Sequence, residues 1–98
     1  MYKYKITLEY DGTDYVGWQR QENGNSIQAS LEKAIEKLTL EKATVFAAGR
    51  TDAGVHAKGQ VAHFDINKNL TIDNIRDGLN QHLRPQPISI IKVEKASK

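Results

Sequence analysis

A chain of 98 residues with 39% hydrophobic and 27% charged residues is typical of a single globular domain built around one core. The lack of cysteine excludes disulfides, thiol catalysis and thiolate metal sites, and it suits a reducing cytoplasmic setting. The net charge of +2 is too small to indicate a nucleic-acid partner by itself, and no apolar run approaches the roughly 20 residues that span a bilayer.

The first half of the chain predicts a strand, a long loop, a helix and a second strand. Apolar and polar residues alternate over 2–10, as in a half-buried strand, and 11–25 is rich in glycine and asparagine, as in a loop. Ser26 is placed to cap a helix, because apolar residues recur at helical spacing after it. A short apolar strand is predicted over 43–48, with loop residues continuing to about Gly59.

The second half predicts a third strand, a second helix and a fourth strand. Residues 60–66 alternate in strand fashion, and Thr71 is placed to cap a helix that Pro85 ends. Gly78 lies inside this helix at a cost of about 1 kcal/mol relative to alanine, which the close approach of a neighbouring element would explain. The last strand is predicted over 88–93.

The element order β-α-β-β-α-β predicts an α+β, ferredoxin-like fold: a four-stranded antiparallel sheet with two helices on one face. A right-handed crossover makes the first two strands parallel and places the third strand between them. The loops after the first and second strands and the turn before the fourth strand then share one end of the sheet. Both loops exceed the roughly two to six residues that are usual, so we expect a functional site at this end.

The most informative segment, 49–57, combines a carboxylate, an arginine and a histidine with two glycines and almost no long apolar side chain. Asp52 is either a solvated turn residue or a nucleophile or general base that a nearby cation keeps ionised. Arg50 either pairs with Asp52 at the surface or binds phosphate and fills the space left by an unstacked base. The residues alone leave these alternatives open.

Two other functions are compatible with these residues. A small hydrolase could use Asp52 with His56, and a metal site could combine Asp52 with His56 and His63, although a polar structural role on its strand is expected for His63. No HExxH motif or cluster of cysteine and histidine supports a metal, and none is expected.

The chain also resembles the bacterial tRNA pseudouridine synthase A family, and the nine residues of 49–57 are highly specific to these enzymes. The stretches that carry the resemblance are 8–13, 17–21, 26–28, 49–57, 59–64 and 79–80. The run 83–88 departs from the family's usual Leu-Pro-x-Asp-Ile pattern because it lacks the acidic residue, and this departure concerns the local turn.

The resemblance implies roles for particular residues. Asp52 matches the catalytic aspartate of the family, and Arg50 matches the arginine that helps displace the target uridine. Thr51 and His56, in the same segment, are expected to contact RNA. Gln19 and Arg20 match a region that contributes to the tRNA-binding cleft.

The resemblance further implies an isomerase that converts uridine to pseudouridine at positions 38–40 of the tRNA anticodon stem-loop. Such enzymes need no metal or organic cofactor and act as homodimers. Residues 1–98 are expected to be the N-terminal domain, carrying the catalytic aspartate, of a longer two-domain synthase, and to be inactive alone. The alternative is a non-catalytic RNA-binding module of ferredoxin-like fold.

Overall fold

The computed structural model describes residues 1–11, 26–47 and 57–96. These ranges form four strands and two helices in the predicted order. They are β1 (Tyr2–Tyr10), α1 (Ile27–Thr39), β2 (Phe46–Ala47), β3 (Ala57–Ile66), α2 (Ile72–Leu83) and β4 (Ile88–Ala96). The order β-α-β-β-α-β confirms the expected ferredoxin-like arrangement.

The four strands form one sheet in the order β2-β3-β1-β4. Every neighbouring pair is antiparallel, and Ile6 at the middle of β1 lies between Ala62 of β3 and Val93 of β4. Because β3 lies between β1 and β2 and runs against both, β1 and β2 point the same way, as the crossover rule predicts.

The core lies between the sheet and the two helices. Tyr4, Ile6, Leu8 and Tyr10 are buried on one face of β1, and the ring of Tyr4 stacks on that of Phe64 with centroids 5.9 Å apart. Tyr4 and Tyr10 therefore lie on the buried face of the half-buried strand that the alternation over 2–10 predicts.

Tyr2 differs from the other β1 tyrosines because it lies at the far end of the strand. It is 42% exposed, and the Lys95 ammonium lies 5.8 Å from the centre of its ring.

Both helices begin at the predicted caps. The Ser26 hydroxyl accepts a hydrogen bond from the Ala29 amide at 3.1 Å, and Thr71 does the same for the Asn74 amide at 3.1 Å. Each cap satisfies an amide that the first helical turn leaves without a partner. The end of α2 at Leu83, two residues before Pro85, also agrees with the sequence.

Helices α1 and α2 pack closely at Gly78. A Cβ atom at this position would lie 2.6 Å from Cδ1 of Leu38, which is closer than real Cβ contacts. The expected close approach of a neighbour at this glycine is confirmed, and the neighbour is α1.

The strand bounds correct three predictions. β3 begins at Ala57, earlier than expected, so the last residue of 49–57 belongs to the sheet. β2 does not begin at 43 but at Phe46, and the amide of the preceding residue, Val45, donates to the Glu32 carboxylate. β4 continues to Ala96 along the edge of β1.

Neither helix in the described ranges is long and apolar enough to cross a membrane.

Candidate active site

One end of the sheet gathers the segments that the sequence marked as functional. Tyr10 pairs with Ala57 on one side and with Ile88 on the other, and the amide of the next residue, Asp11, donates to the carbonyl of Pro87 at 3.0 Å. The end of β1, the start of β3 and the turn before β4 therefore meet in one row. The two long connections, which join β1 to α1 and β2 to β3, each have an end in this row.

The catalytic and RNA-binding residues predicted from the sequence all lie outside the described residues. They are Gln19, Arg20, Arg50, Thr51, Asp52 and His56. What the structure establishes for them is the place where their segments attach: 12–25 follows Asp11, and 48–56 runs from Ala47 to Ala57.

Side chains of α1 fix the chain just before 48–56. Gln28 donates from its amide nitrogen to the Val45 carbonyl at 3.2 Å and to the Glu32 carboxylate at 3.1 Å. The same Glu32 oxygen accepts the Val45 amide at 2.9 Å, and the Val45 side chain is buried. Both backbone groups of Val45 are thus satisfied by the helix, which anchors the entry to the segment that carries Asp52.

The roles of Gln28 and Glu32 are not among those predicted from the sequence. The available signal was their spacing of four residues, which places both on the same face of a helix. Nothing in that spacing indicates that the partner is Val45, because the contact joins different elements.

Asn80 fixes the start of β4 in a similar way. Its side-chain amide donates to the Ile90 carbonyl at 3.1 Å, and its oxygen accepts the Ile90 amide at 2.7 Å. The two bonds tie α2 to the strand two residues after Ile88, which pairs with Tyr10. Asn80 belongs to one of the stretches that resemble the family, but its structural role was not predicted.

The turn before β4 brings a basic residue to this end of the sheet. Arg84 follows α2, is exposed, and is joined to Pro85 by a cis peptide bond. The turn closes with the Gln86 amide donating to the Leu83 carbonyl at 2.8 Å. The run without the family's acidic residue therefore forms an ordered turn.

Arg76 lies on the exposed face of α2 and has a raised pKa. The main cause is its hydrogen bond to the Asp77 carboxylate at 3.0 Å, followed by the charge of Asp77, while Asp73 adds a smaller effect in the same direction. Because these side chains are solvated, the pairs contribute little to stability.

His63 lies on the sheet face opposite the helices, where its ring stacks on that of Phe46 with centroids 5.4 Å apart. No group of three or more potential metal ligands occurs among the residues that the structure describes.

The fold defines an α+β protein with one antiparallel sheet, and the connections that carry the predicted site residues attach to described residues at one end of it. The family model that matches the chain describes a tRNA pseudouridine synthase, and it covers residues 6–98. Since this match includes most of the chain, the protein belongs to the tRNA pseudouridine synthase family.

Curated relatives named tRNA pseudouridine synthase A agree with this assignment. The protein from Maricaulis maris is 52% identical over 97 residues, which are 99% of this chain and 39% of the relative. The Rhodopseudomonas palustris protein is 57% identical over 94 residues, 96% of this chain and 38% of its own. The Brucella ovis protein is 54% identical over an alignment of 99 residues, which covers 99% of this chain and 39% of the relative. The chain thus spans less than two fifths of the length of these relatives.

Proposed function

We propose that this chain is the Asp52-bearing domain of a tRNA pseudouridine synthase, which isomerises uridine to pseudouridine at positions 38–40 of the anticodon stem-loop. Membership of the family over residues 6–98 is the observation that carries the proposal. The meeting of β1, β3 and the turn before β4 in one row supports it, because the segment with Asp52 enters the sheet there.

The proposed reaction makes and breaks bonds at one nucleotide. The bond between N1 of uracil and C1′ of the ribose breaks, the base rotates, and C5 bonds to C1′. C5 loses its hydrogen to solvent, and N1 gains a proton. The carboxylate of Asp52 either attacks C1′, attacks the base, or removes the C2′ proton, and each route requires it to be ionised.

The target base must leave its stack before a protein carboxylate can reach it. Unstacking costs a few kcal/mol, which contacts with phosphates and an inserted side chain can offset. We assign the insertion to Arg50, because a planar cation can fill the space of a base. Gln19, Arg20, Thr51 and His56 complete the RNA contacts in this proposal.

The proposal extends to the domain organisation and the oligomeric state of the enzyme. Residues 1–98 form one domain, the N-terminal one, of a longer two-domain synthase, and the cleft needs both domains. The full-length enzyme acts on tRNA in the cytoplasm as a homodimer and uses neither a metal nor an organic cofactor. The matched relatives are longer than the matched region, which covers 39% of the Maricaulis maris protein and 38% of the Rhodopseudomonas palustris protein.

The test is release of tritium from tRNA that contains [5-³H]uridine. We expect little release by the 98-residue chain alone. Release should be restored in a chimera in which these residues replace the matched segment of the Maricaulis maris relative. The mapped product should be pseudouridine at positions 38–40. A chimera that is folded, binds tRNA and releases no tritium would favour the non-catalytic RNA-binding module instead.

A further inference from the structure

The pairing of β1 with β3 is interrupted at Lys58 and Gly59, directly after 49–57. Leu8 pairs with Gln60, but Tyr10 pairs with Ala57, so two residues of β3 lie opposite the single β1 residue Glu9. This extra residue is a β-bulge. Bulges bend the strand, increase its twist and are common next to active sites, where they change the direction of a side chain or segment.

Gly59 is one of the two residues in this bulge, and its φ of +79° lies in the left-handed region. Residues with a side chain rarely adopt this conformation, whereas glycine adopts it freely. The positive φ therefore explains why a glycine occupies this position, close to where 49–57 joins the sheet.

Close packing against the described residues does not account for the glycine at Gly59. A Cβ atom built on this residue meets no atom of the described residues within 4 Å, whereas one built on Gly78 would collide with Leu38. Within the part of the chain that the structure describes, the backbone conformation is therefore the reason for a glycine here.

We propose that Gly59 is a positioning residue for the reaction, because its left-handed bulge sets the direction in which the Asp52-bearing segment leaves the sheet. Asp52 precedes Gly59 by a few residues, and Ala57, between them, is held by its pairing with Tyr10. Removing the bulge would rotate the exit of the segment relative to β1. This inference rests on the proposed function.

The kinetic test compares Gly59→Ala, Gly59→Asn and Thr71→Ala in the chimera described above. Gly59→Ala should lower kcat for tritium release by about 100-fold with little change in the Kd for tRNA, because small displacements of a reacting group have effects of this size. Gly59→Asn should restore kcat to within about threefold, since asparagine tolerates left-handed backbone. Thr71→Ala removes a cap near the far end of the sheet, so it should lower Tm without lowering kcat.

A structural test uses the 98-residue chain itself and does not depend on turnover. Amide resonances of 49–57 in ¹H–¹⁵N spectra should move in Gly59→Ala and return towards their original positions in Gly59→Asn. Thr71→Ala should leave them in place. If Gly59→Ala moves none of these resonances, the inference is wrong.

The outcomes separate this inference from the proposed function. If Asp52→Ala abolishes turnover while Gly59→Ala retains full kcat, Gly59 has no positioning role and the proposed function stands. If Asp52→Ala is as active as the unsubstituted chimera, the proposed function fails, and the inference fails with it. If Thr71→Ala and Gly59→Ala have the same Tm and lose the same amount of kcat, the effect of Gly59 is on stability and the positioning inference is wrong.

Discussion

At the end of the sheet where β3 leads into α2, side chains close a short connection, whereas the long connections 12–25 and 48–56 attach to described residues at the opposite end. The Glu41 carboxylate accepts the amides of Asn67 at 2.8 Å and Lys68 at 3.2 Å. The buried Tyr4 hydroxyl donates to the Leu70 carbonyl at 2.7 Å and accepts the Leu70 amide at 2.9 Å.

At the opposite end, hydrogen bonds of described residues that lie near the ends of the long connections hold the chain in place. Gln28 and Glu32 bind Val45 before 48–56, Asn80 binds Ile90 after the turn, and Asp11 bonds to Pro87. One end of the sheet therefore serves stability directly, while at the other end the described residues fix the points where the segments with the proposed site residues attach. Functional residues often lie on such segments, supported by a rigid scaffold.

The largest expected effect is at Asp52. In the chimera, Asp52→Asn should lower the rate of tritium release by roughly a thousandfold or more, because the nucleophile or base is lost while the shape is kept. The affinity for tRNA, measured by filter binding, should change little. Tyr4→Phe is the matched control at the other end and should leave the rate unchanged. Parallel loss of binding and rate would mean that Asp52 has a structural role.

The next effect is on stability at the closed end. Tyr4→Phe should lower the free energy of unfolding by about 1–3 kcal/mol, because it leaves the Leu70 amide and carbonyl without their partner. Urea unfolding followed by circular dichroism measures the change. Tyr2→Phe is the control, since Tyr2 is partly exposed. Equal free energies of unfolding for the two variants would mean that the Tyr4 hydroxyl does not stabilise this end of the sheet.

The smallest expected effect is a gain in stability at the end of α1. Leu40 has a φ of 62°, so its backbone lies in the left-handed region, which is unfavourable for a residue with a side chain. Its side chain is 83% exposed, so burial of apolar surface does not offset this cost. Leu40→Gly should raise the free energy of unfolding by about 1 kcal/mol, because glycine adopts this helix-ending conformation without strain. The Leu40 amide donates to the Glu36 carbonyl at 2.8 Å, and this backbone bond does not depend on the side chain that the substitution removes.

Leu40→Ala provides the control for this prediction. It removes the exposed apolar surface but retains the strain, so it should unfold at nearly the same urea concentration as the unsubstituted chain. A gain in Leu40→Ala as large as that in Leu40→Gly would mean that backbone conformation is not the cause.

Much of the fold could be predicted because its signals are local. Ser26 and Thr71 bond to amides three residues away, and Pro85 prevents continuation of a helix within its own turn. Alternation along β1 indicated which side chains face the core. For the candidate site, the order of elements predicted the end of the sheet, and the family resemblance supplied the roles of Asp52 and Arg50, which remain proposals.

The caps, the order of elements and the residue types available for chemistry follow from the amino-acid sequence, because these depend on near neighbours along the chain. The bonds of Glu32 to Val45 and of Asn80 to Ile90, and the bulge of β3 at Gly59, arise from tertiary packing. Those features depend on the register and distance between elements that are separate in sequence. Packing of the whole core sets these quantities, so no short pattern specifies them.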